Sequence, residues 1–183
     1  MNPVTSTATA AGTAAATPAG AATAGTGTPK DDDLLLEHQL CFALTVAARS
    51  VVGAYKPVLE RMNLTHPQYL VMLCLWESSP RTVRNISDAL AQEPATISPL
   101  LRRLEASGLI SRRRVDGNER ALAVDLTPAG AALRQEALKV PGTMMERLGL
   151  TRDQVTELHA SMMGLIAATS QGQPLGRGSR MSA

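Results

Sequence analysis

The stretch from Glu93 to Leu126 places the strictest limits on how this chain can fold. Its first half repeats apolar residues at the spacing of one helix face, at positions 97, 100, 101 and 104. Ser107 and Gly108 follow, and a glycine after the last periodic residue is a common helix C-terminus. The second half alternates between two faces, with Leu122, Val124 and Leu126 on one of them, as in a half-buried strand. The stretch therefore predicts a helix followed by a strand.

A β-hairpin is expected directly after this helix. Asp116 and Gly117 form a dipeptide typical of tight hairpin turns, with residues 109–114 on one side and the alternating strand on the other. A short helix with arginines and small polar residues outward, followed by a basic hairpin, is typical of a winged helix-turn-helix. In that fold the helix enters the major groove of DNA, and the hairpin reaches the backbone or the minor groove. The alternative is a solvated helix face beside an ordinary charged hairpin.

Helical periodicity on both sides of this stretch predicts a mainly α fold with a small β-hairpin. Asp31 to Asp33 are placed to cap a long first helix, and Pro57 is expected to bend it. Thr65 is the predicted N-cap of an apolar core helix, and Thr127-Pro128 starts another helix in the same way. The predicted elements are a helix at 34–62, a core helix at 67–77, a short strand at 81–83, a short helix at 83–90, a helix at 128–148 kinked at Pro141-Gly142, and a last helix that follows Thr151.

Composition divides the chain into one domain and two tails. Residues 1–30 are almost all Ala, Thr, Gly and Pro, which bury little apolar area, so this segment is predicted to be disordered. Residues 31–170 form the winged-helix domain, with a DNA-binding lobe at about 80–126 and dimerisation helices at 34–62 and 128–170. Residues 171–183 are predicted to be a flexible tail. The outer helices carry more apolar surface than a compact winged helix covers, which indicates a homodimer that binds a palindromic DNA site.

Composition also excludes several classes of protein. The net charge is only +2, so contact with nucleic acid must come from local clustering of the arginines, which number 15 among 18 basic residues. Two cysteines and three scattered histidines form no disulfide framework and no metal set, so no cofactor or metal is expected. No catalytic motif is present, so the chain is not expected to be an enzyme. No membrane-length apolar run and no secretory signal are visible, which favours a cytoplasmic protein without membrane contact.

Cys41 is the one candidate for covalent chemistry. It lies near the acidic start of the first helix, where the helix dipole favours a thiolate, although a lone cysteine on an apolar helix is usually inert packing. Tyr55 follows on nearly the same face, fourteen residues later and about 21 Å further along the helix axis. The two side chains meet only if a partner's copy of the helix runs antiparallel across a dimer. Cys74, in the core helix, is interpreted as packing.

Four blocks of the sequence carry a resemblance to a known family: HQLCFAL (38–44), YKPVLERMNLTHPQYLVMLCLWE (55–77), TISPLLRRLEASGLISRRR (96–114) and NERALAVDLTPAG (118–130). They resemble the MarR family of dimeric winged-helix regulators and, within it, the organic hydroperoxide regulators. The resemblance implies a repressor whose reactive cysteine, Cys41 here, is oxidised by organic hydroperoxides, which releases the protein from DNA. It also implies that Tyr55 hydrogen-bonds this cysteine across the dimer.

The chain departs from the family pattern at three places. Thr45 stands where the family usually has a second tyrosine, and its short hydroxyl is less able to reach across the interface. Asn118 replaces an aspartate in the β-hairpin, called the wing in this fold, where it would orient Arg120 without contributing charge. No second cysteine lies in the C-terminal helices. A sulfenic acid at Cys41 would therefore need a low-molecular-weight thiol to become a disulfide, or would over-oxidise.

The residues expected to contact DNA lie on the recognition helix and the hairpin. Those predicted to face the major groove are Thr96, Ser98, Pro99, Arg102 and Arg103, with Pro99 placed against a thymine methyl group. Those of the hairpin are Arg112, Arg113 and Arg114, which contact phosphates or remain solvated, Arg120, which enters the minor groove, and Asn118, which orients Arg120.

Three other functions remain open from the residues. A regulator of the same fold could sense a small ligand, such as a phenolic compound, between the long helix and the core helix, with Cys41 only lining the pocket. A thiol peroxidase would need an acid–base partner for Cys41, and no suitable histidine is near in sequence. A helical interaction module would bind no DNA, whereas a dimer that neutralises about eight phosphates would show a log–log salt dependence of about −7.

Overall fold

The computed structural model of the protein describes residues 31–115 and 118–172. The predicted tail at 1–30, most of the predicted tail at 171–183, and the hairpin turn at Asp116-Gly117 lie outside the described residues. At residue 115 and residues 118–121 the backbone is described but not the side chains. The helices are α1 (Leu40–Leu59), α2 (His66–Glu77), α3 (Val83–Ala89), α4 (Pro94–Ala106), α5 (Pro128–Ala132), α6 (Arg134–Ala137), α7 (Val140–Leu148) and α8 (Arg152–Gly172); the strands are β1 (Arg81–Thr82), β2 (Ile110–Val115) and β3 (Asn118–Leu126).

Residues 31–39 form two 3-10 turns instead of the first turns of a long helix. The turns are Asp31–Leu34 and Leu36–His38, and the imidazole Nδ1 of His38 lies 2.7 Å from the carbonyl oxygen of Asp32. The same carbonyl accepts the backbone N–H of Leu35 at 3.1 Å, and the carbonyl of Leu35 accepts that of His38 at 3.0 Å, so the backbone follows the i→i+3 pattern of 3-10 turns. The predicted helix start at residue 34 is therefore wrong. α1 begins at Leu40, and the three aspartates do not cap it.

A short connection joins the end of α1 to α2. Pro57 lies inside α1, which ends two residues later and continues as a 3-10 turn to Met62. Asn63 then takes a left-handed conformation with φ 54°, a region that asparagine adopts more readily than most residues. As predicted, Thr65 is the N-cap of α2. Its backbone N–H and its hydroxyl both donate to Oε1 of Gln68, at 2.9 and 2.8 Å, which fixes the first turn.

The core lies where α2 and the helix-turn-helix pair α3–α4 meet the sheet. The predicted apolar stripe of α4 is confirmed, because Ile97, Leu101 and Leu104 are buried and Leu100 is half-buried. The other buried apolar residues of these helices are Tyr69, Val71, Met72, Cys74, Leu75 and Ile86. The turn between α3 and α4 holds Ala91 at φ 49°, a conformation that an alanine adopts only under constraint from its surroundings.

The sheet has three antiparallel strands in the order β1-β3-β2. The predicted third strand is confirmed as β1, which pairs Arg81 with Val124 and Thr82 with Ala123. The predicted alternation of β3 is only partly right, because Val124 is buried whereas Leu122 is 39% exposed. β1 reaches only as far as Ala123, so from Leu122 outward the hairpin is a two-stranded projection away from the core.

Residues 127–148 form three short helices instead of the single kinked helix expected from the sequence. Thr127 is the N-cap of α5, as predicted, and its hydroxyl accepts a 3.1 Å hydrogen bond from the backbone N–H of Gly130. The helical path is interrupted at Leu133 and again just before Pro141, which lies in the first turn of α7. A proline has no N–H to donate, so a first turn accommodates it best, and the break precedes Pro141 for that reason.

α1 and α8 present apolar side chains at the surface of the single chain. The exposed large apolar residues on these two helices are Leu40, Phe42, Val46, Val51, Val52, Val155, Leu158, Met162, Met163 and Ile166. Burial of apolar surface is favourable by about 25 cal/mol per Å², so a second molecule would be stabilised by covering these faces. None of the described helices is both long and apolar enough to cross a membrane.

Candidate DNA interface and thiol site

Three of the five α4 residues predicted to contact DNA lie on the exposed face of the helix. Thr96, Arg102 and Arg103 are exposed, on the side of the helix opposite its buried stripe. Ser98 and Pro99 are half-buried, and the hydroxyl of Ser98 donates a 2.8 Å hydrogen bond to the carbonyl of Pro94 one turn earlier. α4 therefore presents two arginines and a threonine outward, with a smaller, partly covered surface at its second turn.

The described arginines of the hairpin lie in different environments. Nε of Arg112 donates a 2.8 Å hydrogen bond to Oε2 of Glu105 in α4, and Nη2 donates to the same oxygen. These hydrogen bonds hold the pKa of the Glu105 carboxyl below its usual range. Arg113 and Arg114 are exposed. The side chains of Asn118 and Arg120, predicted to act at the tip of the wing, lie outside the described residues.

The thiol of Cys41 is free and exposed in the first turn of α1. Cys41 lies closer to the helix start than the sequence indicated, because α1 begins at Leu40 and not at residue 34. One turn later, the hydroxyl of Thr45 donates a 2.7 Å hydrogen bond to the backbone carbonyl of Cys41. The hydroxyl of Thr45 therefore donates its hydrogen bond within its own helix.

Tyr55 lies near the other end of α1, in an aromatic cluster. Its ring makes an edge contact with His66, at a centroid distance of 5.2 Å, and a tilted contact with Tyr69 at 6.1 Å. Burial raises the pKa of the Tyr55 phenol and lowers the pKa of the His66 imidazole. Among the described residues of the chain, the Tyr55 hydroxyl has no hydrogen-bond partner. The ring contacts therefore fix the position of Tyr55, and its hydroxyl remains available to donate a hydrogen bond.

The structure does not bring Cys41 and Tyr55 together within one chain. Both lie on the single helix α1, fourteen residues and about 21 Å apart along its axis. The second cysteine, Cys74, is buried in α2 and forms no disulfide, and burial raises the pKa of its thiol. Within the described part of the chain, no group of three His, Cys, Asp or Glu side chains is placed to hold a metal ion.

An open groove of about 240 Å³ lies between α2 and the α6–α7 region. Its lining combines apolar surface with one acid and one base, and consists of Tyr69, Leu73, Trp76, Glu77, Arg134, Ala137, Leu138 and Pro141. The ligand pocket considered from the sequence lay between α1 and α2, so this groove is on a different side of the core helix.

Comparison with known proteins identifies relatives of the whole helical domain. A family model described as the MarR family matches residues 64–122. The organic hydroperoxide resistance transcriptional regulator of Bacillus subtilis (strain 168) is 36% identical over 142 residues, which cover 78% of this chain and 97% of that protein. The chain belongs to the MarR family. The HTH-type transcriptional regulator MgrA of Staphylococcus aureus is also 36% identical, over 134 residues that cover 73% of this chain and 91% of that protein.

Solved structures give the same assignment. Reduced AbfR bound to DNA superposes with a TM-score of 0.62 at 28% identity, over 73% of this chain and 94% of that one. The disulfide form of AbfR, a protein of Staphylococcus epidermidis, superposes with a TM-score of 0.53 at 29% identity, over 74% of this chain and 90% of that one. This MarR-family protein is thus a winged-helix, DNA-binding transcriptional regulator, as expected from the sequence.

Two contacts of this MarR-family protein were not foreseen from the sequence. The pair between Glu105 and Arg112 spans a helix and a strand seven residues apart, a spacing that no single-element periodicity marks. The contact of His66 with Tyr55 depends on how α1 and α2 pack, which no spacing within either helix indicates.

Proposed function

We propose that this MarR-family protein is a homodimeric repressor that leaves its DNA when an organic hydroperoxide oxidises Cys41. The observation that carries the proposal is the exposed thiol in the first turn of a helix whose neighbouring exposed residues, Leu40 and Phe42, are apolar. A peroxide can reach this sulfur, and the apolar surroundings suit an organic peroxide. The similarity to the hydroperoxide regulator of Bacillus subtilis supports the same class of effector.

DNA binding would use the exposed face of α4 and the cations of the wing. Arg102 and Arg103 are the side chains best placed to reach base edges or phosphates, because both are exposed on the face opposite the buried stripe. In a two-fold dimer the two copies of α4 would enter successive major grooves, about 34–36 Å apart on a palindromic operator. The neighbouring structure of AbfR on DNA supports this mode of docking.

The dimer would be formed by the apolar faces of α1 and α8. An antiparallel arrangement of the two α1 helices would bring Tyr55 of each subunit to Cys41 of the other. The free phenol donor of Tyr55 could then hydrogen-bond the sulfur and orient it toward the peroxide. Thr45 would contribute less, since its hydroxyl already donates to the Cys41 carbonyl.

The proposed chemistry at Cys41 has two steps. The sulfur attacks the outer oxygen of the hydroperoxide, the O–O bond breaks, and an alcohol leaves while the sulfur becomes a sulfenic acid. A low-molecular-weight thiol then attacks this sulfur, water leaves, and a mixed disulfide forms. Cys74 is buried in the core helix, so an external thiol is the simpler partner for this second step.

The test is fluorescence anisotropy of the reduced protein on DNA from upstream of its own gene. Addition of a stoichiometric organic hydroperoxide with a small thiol should release wild-type protein and leave the Cys41→Ser variant bound. The Cys74→Ser variant is the matched control and should be released like wild type. Release of Cys41→Ser by peroxide would contradict the proposal.

A response to a small ligand is the second candidate function, and the groove beside α2 favours it. The groove offers Tyr69 and Trp76 together with the cation of Arg134. The acid of its lining, Glu77, is paired with Arg81 at 2.9 Å, so the net surroundings suit an aromatic acid. Trp76 is the only tryptophan of the chain, so its fluorescence reports occupancy of the groove directly. Quenching by salicylate that is accompanied by DNA release in Cys41→Ser would favour this function over thiol oxidation.

A further inference from the structure

The pair formed by Arg112 of β2 and Glu105 of α4 separates one arginine of the wing from the others. Arg112 pairs across the sheet with Val124, and directly opposed residues of antiparallel strands share a face. Val124 is fully buried, so this is the face of the sheet that packs on the helices. The register therefore directs Arg112 back toward α4, where the Glu105 carboxylate receives it.

We propose that Arg112 does not contact DNA and instead positions the wing on the recognition helix through Glu105. The inference rests on the proposed docking of α4 and the wing on DNA, and it assigns a different role to one residue of the basic wing. Two nitrogens of the guanidinium donate to one carboxylate oxygen, which fixes the direction of the side chain as a single contact would not. With 24% of the Arg112 side chain and 36% of the Glu105 side chain exposed, the pair is partly shielded from solvent.

The charge of the pair reinforces this assignment. A cation already neutralised by a carboxylate displaces no counterion when DNA arrives, so it adds nothing to the salt dependence of binding. To reach a phosphate, Arg112 would have to leave Glu105 and bring an unpaired carboxylate close to the DNA backbone. Arg113 and Arg114 carry no such partner in the described part of the chain, and they are exposed. They are the cations of β2 that remain available to phosphates.

A charge swap separates positioning from contact. The variants are Arg112→Glu, the double variant Glu105→Arg with Arg112→Glu, and Arg113→Gln with Arg114→Gln as the reference for lost phosphate contacts. Binding to the operator DNA is measured over a series of salt concentrations. Arg112→Glu should bind about tenfold or more weakly, because it sets two carboxylates against each other. The double variant should recover most of this loss with the salt slope of wild type.

The reference variant should instead lose about 0.9 of slope for each phosphate contact removed. A double variant that binds no better than Arg112→Glu, or an Arg112→Gln variant whose slope falls like that of the reference, overturns the inference while DNA binding stands. A wild-type protein that binds without salt dependence overturns the proposed docking of the basic wing on phosphates, and the positioning role with it.

Discussion

The indole N–H of Trp76 donates a 2.9 Å hydrogen bond to the carbonyl of Gly130, which joins the core helix α2 to the helix that follows the wing. The Trp76 ring also contacts Tyr69, at a centroid distance of 6.3 Å, and Tyr69 contacts Tyr55. Gly130 in turn lies against the backbone of Leu109 at the base of β2. Packed groups therefore run without a gap from the tyrosine of α1 to the base of the wing.

The absence of a side chain at Gly130 is required by this junction. A Cβ at this position would lie 1.9 Å from the carbonyl oxygen of Leu109, which is backbone and already accepts a 3.1 Å hydrogen bond from the N–H of Thr127. Gly130→Ala should therefore destabilise the protein by about 1–3 kcal/mol, as overpacking does elsewhere. Urea denaturation would measure the change.

Gly142→Ala is the matched control for that substitution. A Cβ at Gly142 meets no atom within 4 Å, and the residue lies inside α7. Because alanine is the better helix former, this variant should be more stable than wild type by about 0.5–1 kcal/mol. Equal effects of the two substitutions would show that the close approach of Gly130 to Leu109 carries no energetic weight.

The hydroxyl of Tyr55 is expected to affect the reactivity of Cys41 and not the fold. Tyr55→Phe keeps the ring that contacts His66 and Tyr69, so thermal stability should change little. Without the phenol donor, reaction of Cys41 with cumene hydroperoxide should slow by about tenfold, the worth of one hydrogen bond to a charged group. Single-turnover trapping of the sulfenic acid would measure the rate.

Tyr69→Phe provides the control for Tyr55→Phe, since it removes a phenol from the same cluster on a residue that belongs to the core helix. Its rate of Cys41 oxidation should match wild type. Equal slowing of both variants would point to a general loosening of the cluster, and unchanged rates in both would remove Tyr55 from the thiol site.

The stability of the protein should depend on acid pH through Glu105. Its hydrogen bonds from Arg112 hold the pKa of the carboxyl below the ordinary value of 4.5, so the fold favours the ionised form. The stabilisation is complete above pH 4.5 and is lost as the pH falls through the lowered folded-state pKa. Wild type should exceed Glu105→Gln in Tm at neutral pH, and the difference should close as the solution is acidified.

Arg112→Gln tests the cause of this pH dependence. The variant keeps the carboxyl and removes the group that lowers its pKa, so it should lose the same pH-dependent part of the stability. A double variant with Glu105→Gln should add little further loss, because the two residues act as one unit. A difference between wild type and Glu105→Gln that stays constant down to low pH would contradict the assignment.

Local patterns predicted those parts of the fold that depend on neighbours in sequence. The stripe of α4, the strand β1 and the caps at Thr65 and Thr127 all follow from spacing within one element. The start of α1 did not, because residues 31–38 close as two 3-10 turns through their own backbone hydrogen bonds. Such a choice between two local hydrogen-bonding schemes leaves no mark in the apolar period.

Contacts between elements were less accessible from the sequence. The exposure of Leu122 depends on where β1 ends, and the pairing of Arg112 depends on the register of two strands. The thiol site goes one step further, since Cys41 and Tyr55 lie on one rigid helix and can meet only across two chains. The spacing of the two residues in the sequence excludes a contact between them within one chain. Their contact across a dimer remains a proposal.

The apolar face of α8 provides the last prediction, that one charge placed there disrupts the proposed dimer. Leu158 is 51% exposed in the single chain, and Val155 and Met162 lie on the same side of the helix one turn away. Leu158→Glu would bury a carboxylate against apolar surface, so the dimer should weaken by several kcal/mol, while the monomer loses little. Analytical ultracentrifugation would measure the dissociation constant.

Ala160→Glu adds the same charge on the opposite, exposed side of α8 and should leave the dimer intact. Dimers of unchanged affinity in Leu158→Glu would place the interface elsewhere, and with it the partner of Cys41.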